Sequence, residues 1–505
     1  MKNAGAGGTG LNQTIGWAAP IPSQQLAAPL SEQQMLQYAI YGLRDIDPSA
    51  SSSTSLNVGQ TIGVGAVGLL IIAGFGFRPL WMGIVLMSVV MFTYVTSLAY
   101  RVVLYLRSLG GSEMVRVSDE VARAASDDSL PMYTVMVPAY REPEVIEELV
   151  RSLDAMDYPK HKLDIKLLLE ADDQATVIAA QWAVTGNHMQ IVVVPAAEPR
   201  TKPKALNFGL QLARGELVTV YDAEDRPDPL QLRKAALALR AAPMDLGCLQ
   251  ARLSYFNPDQ NLITRWFTLE YATWFSQFLP GLVMSDAPVP LGGTSNHFRR
   301  EVLDLVGGWD PFNVTEDADL GMRLHRRGFR TAILDSITWE EANSDFINWI
   351  KQRSRWYKGY LQTWTVHLRH PVRLWQELGP RAFLEFNLFV GGTPLLALLN
   401  PVFWLMTIVW FVSEPVFIIR LLPQPVYYTS LICWLGGNFA LTYLNMLMAQ
   451  ETVGKFRLHR AALLTPLYWV MMSIAAAKAV IQFVFQPSHW EKTVHGLSGT
   501  HVDNP

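Results

Sequence analysis

Long charge-free apolar segments on either side of a charged middle limit what this chain can fold into. From Pro48 to Phe77 no residue is charged, and after Arg78 the run Pro79–Tyr100 gives 22 more uncharged residues. A bilayer core about 30 Å thick takes about 20 helical residues, and only helices or closed barrels satisfy their backbone groups inside it. A transmembrane hairpin is therefore expected over 61–108. Arg101 and Arg107 follow it, which puts the next segment in the cytoplasm by the positive-inside rule. Further on, Phe386–Ser413 and Leu421–Gln450 are charge-free, and Ala461–Phe485 carries only Lys478. Trp404, Trp410, Tyr427, Tyr428, Tyr468 and Trp469 stand near the ends of these runs, as in an interfacial belt. Gly391-Gly392 and Asn400-Pro401 either split the first run or kink it. The expectation is three or four spans over 381–486, five or six in all. The charged loop Glu451–Arg460, expected on the cytoplasmic side, favours three.

Composition narrows the class. Charged residues are 17% of the 505, below the roughly 25% of soluble domains. The 41 basic and 44 acidic residues sum to −3, and no long basic run suggests nucleic acid. Two cysteines, Cys248 and Cys433, exclude a disulfide framework and a cysteine-rich zinc site. Residues 1–60 read as a flexible segment with a short helix over 33–46 and no signal peptide. Residues 109–130 read as a linker and 487–505 as a tail. The whole reads as a multi-pass protein of the cell (inner or plasma) membrane.

The middle, 131–345, has a different rhythm. Apolar runs at Tyr133–Val137, Ile165–Leu169, Ile191–Val194 and Leu217–Tyr221 alternate with helix-like stretches at Val145–Met156, Ala175–Thr185 and Lys204–Ala213. Such alternation predicts an α/β domain with a mostly parallel sheet covered on both faces. Ligands bind such sheets beyond the carboxyl ends of the strands, and the residues there are polar: Pro138-Ala139-Tyr140-Arg141-Glu142, Glu170-Ala171-Asp172-Asp173 and Asp222-Ala223-Glu224-Asp225. Acidic groups gathered at one edge repel unless a cation joins them. Asp222 and Glu224 suit a hard divalent ion, Mg²⁺ or Mn²⁺; the same residues also make a good solvated turn. Lys202-Pro203-Lys204 offers two ammonium groups at a helix start, where phosphate binds.

Thr315-Glu316-Asp317 opens a helical stretch that Thr315 or Asp317 could simply cap. Gln352-Arg353-Ser354-Arg355-Trp356, within 346–380, mixes cations and aromatics as an interfacial helix would. His297 reads as a buried structural histidine, and Trp490–Gly496 suggests no function from its residues alone.

In this order, the acidic clusters, T-E-D and Q-x-x-R-W resemble the membrane-embedded family 2 glycosyltransferases, including cellulose, chitin and hyaluronan synthases. The resemblance runs from about Tyr133 to Tyr360. It implies a Rossmann-like GT-A catalytic domain inserted between transmembrane helices, and inverting transfer from a UDP-sugar, by default UDP-glucose, to a growing β-linked polysaccharide exported across the membrane. It further implies that Pro138, Tyr140 and Glu142 border the uridine, that Glu170 or Asp172 reads the nucleoside, and that Lys204 meets the diphosphate or the uridine. Asp222 and Glu224 take the metal, with Asp225 an alternative to Glu224. Gly293, Thr294 and Ser295, with Glu316, support the acceptor. Asp317 is the general base, and Gln352, Arg355 and Trp356 complete the site, Trp356 also facing the acceptor. Glu451–Arg460 loosely resembles a gating loop. Accessory export or regulatory subunits belong to the same picture. The rival reading is a non-processive enzyme, similar to ceramide glucosyltransferases, whose acceptor is a membrane lipid. A transporter or scaffold with a degenerate nucleotide-sugar domain is the non-enzymatic rival.

Overall fold

A computed structural model describes residues 30–109, 114–413, 439–448, 456–487 and 489–491, with isolated positions between 414 and 438. Its centre is an eight-stranded sheet: β1 Tyr133–Ala139, β2 Leu163–Glu170, β3 Met189–Val194, β4 Leu217–Val220, β5 Arg226–Pro227, β6 Leu246–Tyr255, β7 Asn296–Arg299 and β8 Arg330–Glu340. The spatial order is β3-β2-β1-β4-β7-β6-β8-β5. The first four strands are parallel, as the apolar runs predict. β7 is antiparallel to both neighbours, so the sheet is mixed. β6 and β8 were invisible to the alternation because polar residues such as Gln250 and Thr338 point into their core side and bond there. This is a Rossmann-like GT-A sheet.

Helices cover both faces. Ile146, Leu149 and Leu153 of Ile146–Asp154 pack with Val135, Val137 and Ile165, while Leu206 and Phe208 of Lys202–Leu210 pack on the other face with Met136 and Val220. The helix Glu32–Ile46 starts with a Ser31–Gln34 capping box and docks on this second face through Ala39.

Val58–Phe77, Pro79–Leu109, Pro371–Met406 and Thr465–Phe485 are long and apolar enough to cross a membrane. Leu69, Leu70 and Ile72 on the first are each about 70% exposed, an apolar surface suited to lipid. Gly391-Gly392 and Asn400-Pro401 do not split their segment. It stays helical, with a π-helical stretch at Asn387–Gly391, and the break falls earlier, at Gly379 with φ 73°. Most of Leu421–Gln450 lies outside the described residues, as does 451–455 of the expected gating loop; Phe456–Leu463 is helical.

The helix Phe346–His367 joins the sheet domain to the membrane part. A Cβ on Gly359 would stand 2.2 Å from Thr315 Oγ1. Only glycine lets this helix approach the turn before Glu316 so closely. Asn313 Nδ2 donates to Thr363 Oγ1 at 3.0 Å and the Val314 amide to Gln362 Oε1 at 3.1 Å, fixing the turn from the same side.

Candidate active site

A single cavity of about 610 Å³ runs from the carboxyl ends of β1, β2 and β4 to the space between the apolar helices. Pro138, Tyr140, Glu142, Glu170, Asp222, Glu224, Gly293, Thr294, Glu316, Asp317, Gln352, Arg355 and Trp356 all line it. Parallel strands place their following loops at one edge, which is why residues so far apart in sequence meet.

Asp317 occupies the first turn of the helix Glu316–Arg326. Thr315 does not cap that helix: its hydroxyl has no hydrogen-bond partner. The helix is held from behind by Asp319, whose carboxylate bonds Arg323 at 2.7 Å and His367 at 3.0 Å, all fully or nearly fully buried. Asp317 is thus presented to the cavity by a rigid anchor. Burial raises its pKa to about 6, against Ala318's backbone N–H and Lys202. Burial and then Asp317 raise Glu316 as well. A Cβ on Gly293 would lie 3.5 Å from Asp317 Oδ2 and 3.9 Å from Lys202 Nζ, so the bare glycine keeps open the space between base and ammonium.

Several expectations need correction. Lys204 is fully buried and does not face the cavity. Its ammonium is 2.8 Å from Glu170 and also bonds the Ala197 carbonyl at 3.1 Å. Lys202 faces the cavity instead, bonding Asp222 and, at 2.7 Å, the Gly293 carbonyl. Residues two apart on a helix point about 200° away from each other, so one lysine enters the site and the other the core. Burial pulls the Lys202 ammonium down, but Asp222 and Glu316 more than offset it and keep it protonated. Glu170 lines the cavity; Asp172 does not, but it pairs with Arg200, which does. Ser295 is fully buried and donates to Thr338 Oγ1 at 2.7 Å, away from any acceptor. His297 is a core residue, 2.7 Å from the Tyr133 hydroxyl.

Asp225 turns inward. It accepts from the Asp222 amide at 2.7 Å and from Thr294, shaping the loop, while Glu224 lines the cavity. Glu340, at the end of β8, adds a carboxylate with an unpartnered buried Oε1. Burial, then Asp225 and Asp222, raise its pKa. Among the described residues no set of three or more His, Cys, Asp or Glu is arranged as a metal site. Asp222 and Glu224 both line the cavity, and a Mg²⁺-like ion takes one or two carboxylates and completes its shell with phosphate oxygens and water.

Trp356 lies among Phe267, Tyr271 and Arg353, with centroid distances of 5.7 and 6.2 Å to the two rings and the Arg353 guanidinium 4.6 Å from its face. Arg353 is in turn fixed by Glu270, 2.9 Å away. Gln352 Oε1 is buried with no partner. The tail that suggested nothing in sequence also reaches the site: the Arg355 guanidinium is 4.9 Å from the Trp490 ring centroid, and Trp490 lines the cavity. Gln362 Nε2 donates to the Pro487 carbonyl at 3.0 Å, Lys358 to that of His489, and Glu491 pairs with Lys478 at 2.7 Å. The one available signal was a tryptophan with charged neighbours just past a membrane-length helix.

Residues 131–359 match the model of a family described as glycosyltransferase like family 2. A probable glycosyltransferase, YdaM, of Bacillus subtilis is 27% identical over 235 residues, covering 46% of this chain and 55% of that one. A β-monoglucosyldiacylglycerol synthase of Synechocystis sp. is 29% identical over 266 residues, 52% of this chain and 55% of that one. One of Trichormus variabilis is 26% identical over 303 residues, 57% and 62% of the two chains. The matches thus span little more than half the length of these relatives. The mannosyltransferase PcManGT of Pyrobaculum calidifontis, solved with GDP-Man and Mn²⁺, superposes with a TM-score of 0.49 at 17% identity over 79% of this chain and 99% of that one. The segment 131–359 gathers an acidic cluster, a buried aspartate and the Q-x-x-R-W arginine around one cavity, and it is this segment, just under half of the chain, that matches the glycosyltransferase family 2 model.

Proposed function

We propose that this protein is an inverting glycosyltransferase that moves a sugar from a UDP-sugar to an alcohol presented from the membrane. Asp317 takes the proton of the acceptor hydroxyl as its oxygen bonds the anomeric carbon. The bond from that carbon to the diphosphate breaks, and the nucleoside diphosphate leaves with the electron pair. Displacement from one face gives a β link. A base of this kind contributes about 10²–10⁴-fold. Lys202 and Arg355 face the leaving diphosphate and stabilise its growing charge. Asp222 and Glu224 would hold a divalent ion, which adds charge stabilisation there when bound. Glu170 borders the nucleoside, and Trp356 offers its face to a sugar ring.

The observation that carries this reading is one continuous cavity with Asp222, Asp317 and Arg355 at one end and Tyr94, Leu98 and Asn400 of membrane-length helices at the other. The acceptor is read as a lipid that receives one sugar, the reading favoured by curated relatives named as β-monoglucosyldiacylglycerol synthases. The second reading is a growing β-linked polysaccharide. It is favoured by the aromatic wall of Trp266, Tyr271, Trp274, Trp356, Tyr360 and Trp469, suited to a run of sugar rings. Both readings place the catalytic domain on the cytoplasmic side of the cell membrane.

Incubating the purified protein with a panel of radiolabelled UDP-sugars in lipid vesicles separates them. Label extracted with the lipids as a single species supports the glycolipid; a ladder or long polymer supports the synthase. No UDP release from any donor refutes transfer altogether.

A further inference from the structure

One cation in the cavity has no part in the chemistry described above. Arg101 belongs to the helix Pro79–Leu109 and lines the cavity. Its Nη2 donates to Thr393 Oγ1 at 2.9 Å, and its guanidinium carbon lies 5.6 Å from the Phe278 ring centroid and 5.8 Å from that of Phe389. Its Nε is buried without a hydrogen-bond partner. Among the described residues it makes no ion pair. The contrast with its neighbours is informative. Arg107 on the same helix pairs with Glu385 at 3.2 Å, and Glu270 is engaged by Arg353 at 2.9 Å and by the Tyr468 hydroxyl at 2.7 Å.

Depth supplies the second observation. From Pro79 to Arg101 the helix climbs about 33 Å at 1.5 Å per residue, close to the roughly 30 Å of a hydrocarbon core. Arg101 therefore stands at the level of the lipid headgroups, on the side of the sheet domain. Depth alone would not make its charge costly there; burial does, because a guanidinium shut away from water needs a charged or hydrogen-bonding partner, and its Nε has none. The cavity wall leads from Arg101 back toward the reaction centre through aromatic rings: Phe389 to Trp274 at 5.0 Å and Trp274 to Tyr360 at 6.3 Å between centroids, with Tyr360 and Asp317 both lining the same cavity.

We infer that Arg101 is the anion subsite of the acceptor: the substrate is an anionic lipid whose phosphate rests on Arg101 and whose hydroxyl-bearing end is directed along the aromatic wall toward Asp317. The phosphate is a handle and no bond to it is made or broken. A neutral acceptor would leave this guanidinium without an ion pair among the described residues. The inference builds on the transferase reading and narrows its substrate class.

Native mass spectrometry of the full-length protein, released from phosphatidylcholine nanodiscs doped with phosphatidylglycerol or with diacylglycerol, tests it. The wild-type protein should retain phosphatidylglycerol over diacylglycerol by about tenfold or more. Arg101→Lys should keep most of that preference and Arg101→Gln should lose it, with diacylglycerol retention the same in all three. Equal retention of the two lipids by the wild-type protein overturns the inference, and so does an Arg101→Gln variant that keeps the preference or loses both lipids together. Displacement of phosphatidylglycerol by millimolar inorganic phosphate alone also overturns it, because a free ion would then be the ligand. UDP release by the wild-type protein is measured separately; its absence would remove the transferase reading and leave the lipid result standing.

Discussion

The Trp490 ring lies 4.9 Å from the Arg355 guanidinium, so the segment after the last described helix closes on the arginine of the Q-x-x-R-W motif. A cation over an aromatic face contributes about 0.5–2 kcal/mol. Trp490→Ala should therefore raise the KM for the donor about tenfold and leave the melting temperature close to that of the wild type. An unchanged donor KM would show that the tail merely rests there.

Asp317→Asn should lower kcat by at least about 10²-fold while UDP still binds. Because burial raises the Asp317 pKa to about 6, activity should increase as pH rises through that value and the base loses its proton. A flat profile between pH 5 and 8 would assign the proton transfer to another group.

The same burial has a stability consequence. Glu316, raised to about 8, and Asp317 hold protons more tightly when folded than unfolded. Their stabilising contribution is present below the ordinary carboxylate range and is lost as pH rises through the folded-state values. Glu316→Gln cannot ionise, so thermal melts without donor should show a smaller loss between pH 6 and 9 than the wild type. An identical slope would place the ionisation elsewhere.

The two lysines should separate cleanly. Lys204→Met leaves the Glu170 carboxylate, 8% exposed, without its partner, and breaking such a pair costs about 3–5 kcal/mol. Lys202→Met should instead preserve the fold and raise the KM for the donor. Denaturant melts and donor kinetics on both variants check this; reversed effects would return the diphosphate role to Lys204.

Gly359→Ala should destabilise the protein by about 1–3 kcal/mol, the range for overpacking, because its Cβ would meet Thr315 Oγ1 at 2.2 Å. The turn that presents Asp317 should shift with it, so kcat should fall alongside the melting temperature. Chelation by EDTA should stop turnover and Mg²⁺ or Mn²⁺ restore it; full activity in chelator would dismiss the ion at Asp222 and Glu224.

The sequence by itself determined the membrane-length helices, the four parallel strands and the loci of the acidic clusters. The reason is physical: lipid and a doubly covered sheet each demand unbroken apolar runs of fixed length, and strand ends must carry the polar residues. What only the tertiary structure decided is direction. Lys202 and Lys204 have the same chemistry, and so do Glu224 and Asp225; helix phase and loop hydrogen bonds turn one of each pair into the cavity and the other into the core. Ser295, one residue before β7, is turned from the expected acceptor loop into the core for the same reason. Trp490 meets Arg355 only because Lys358 and Gln362, well over a hundred positions earlier, bind the carbonyls of the tail. Contacts so distant along the chain leave no local pattern to read.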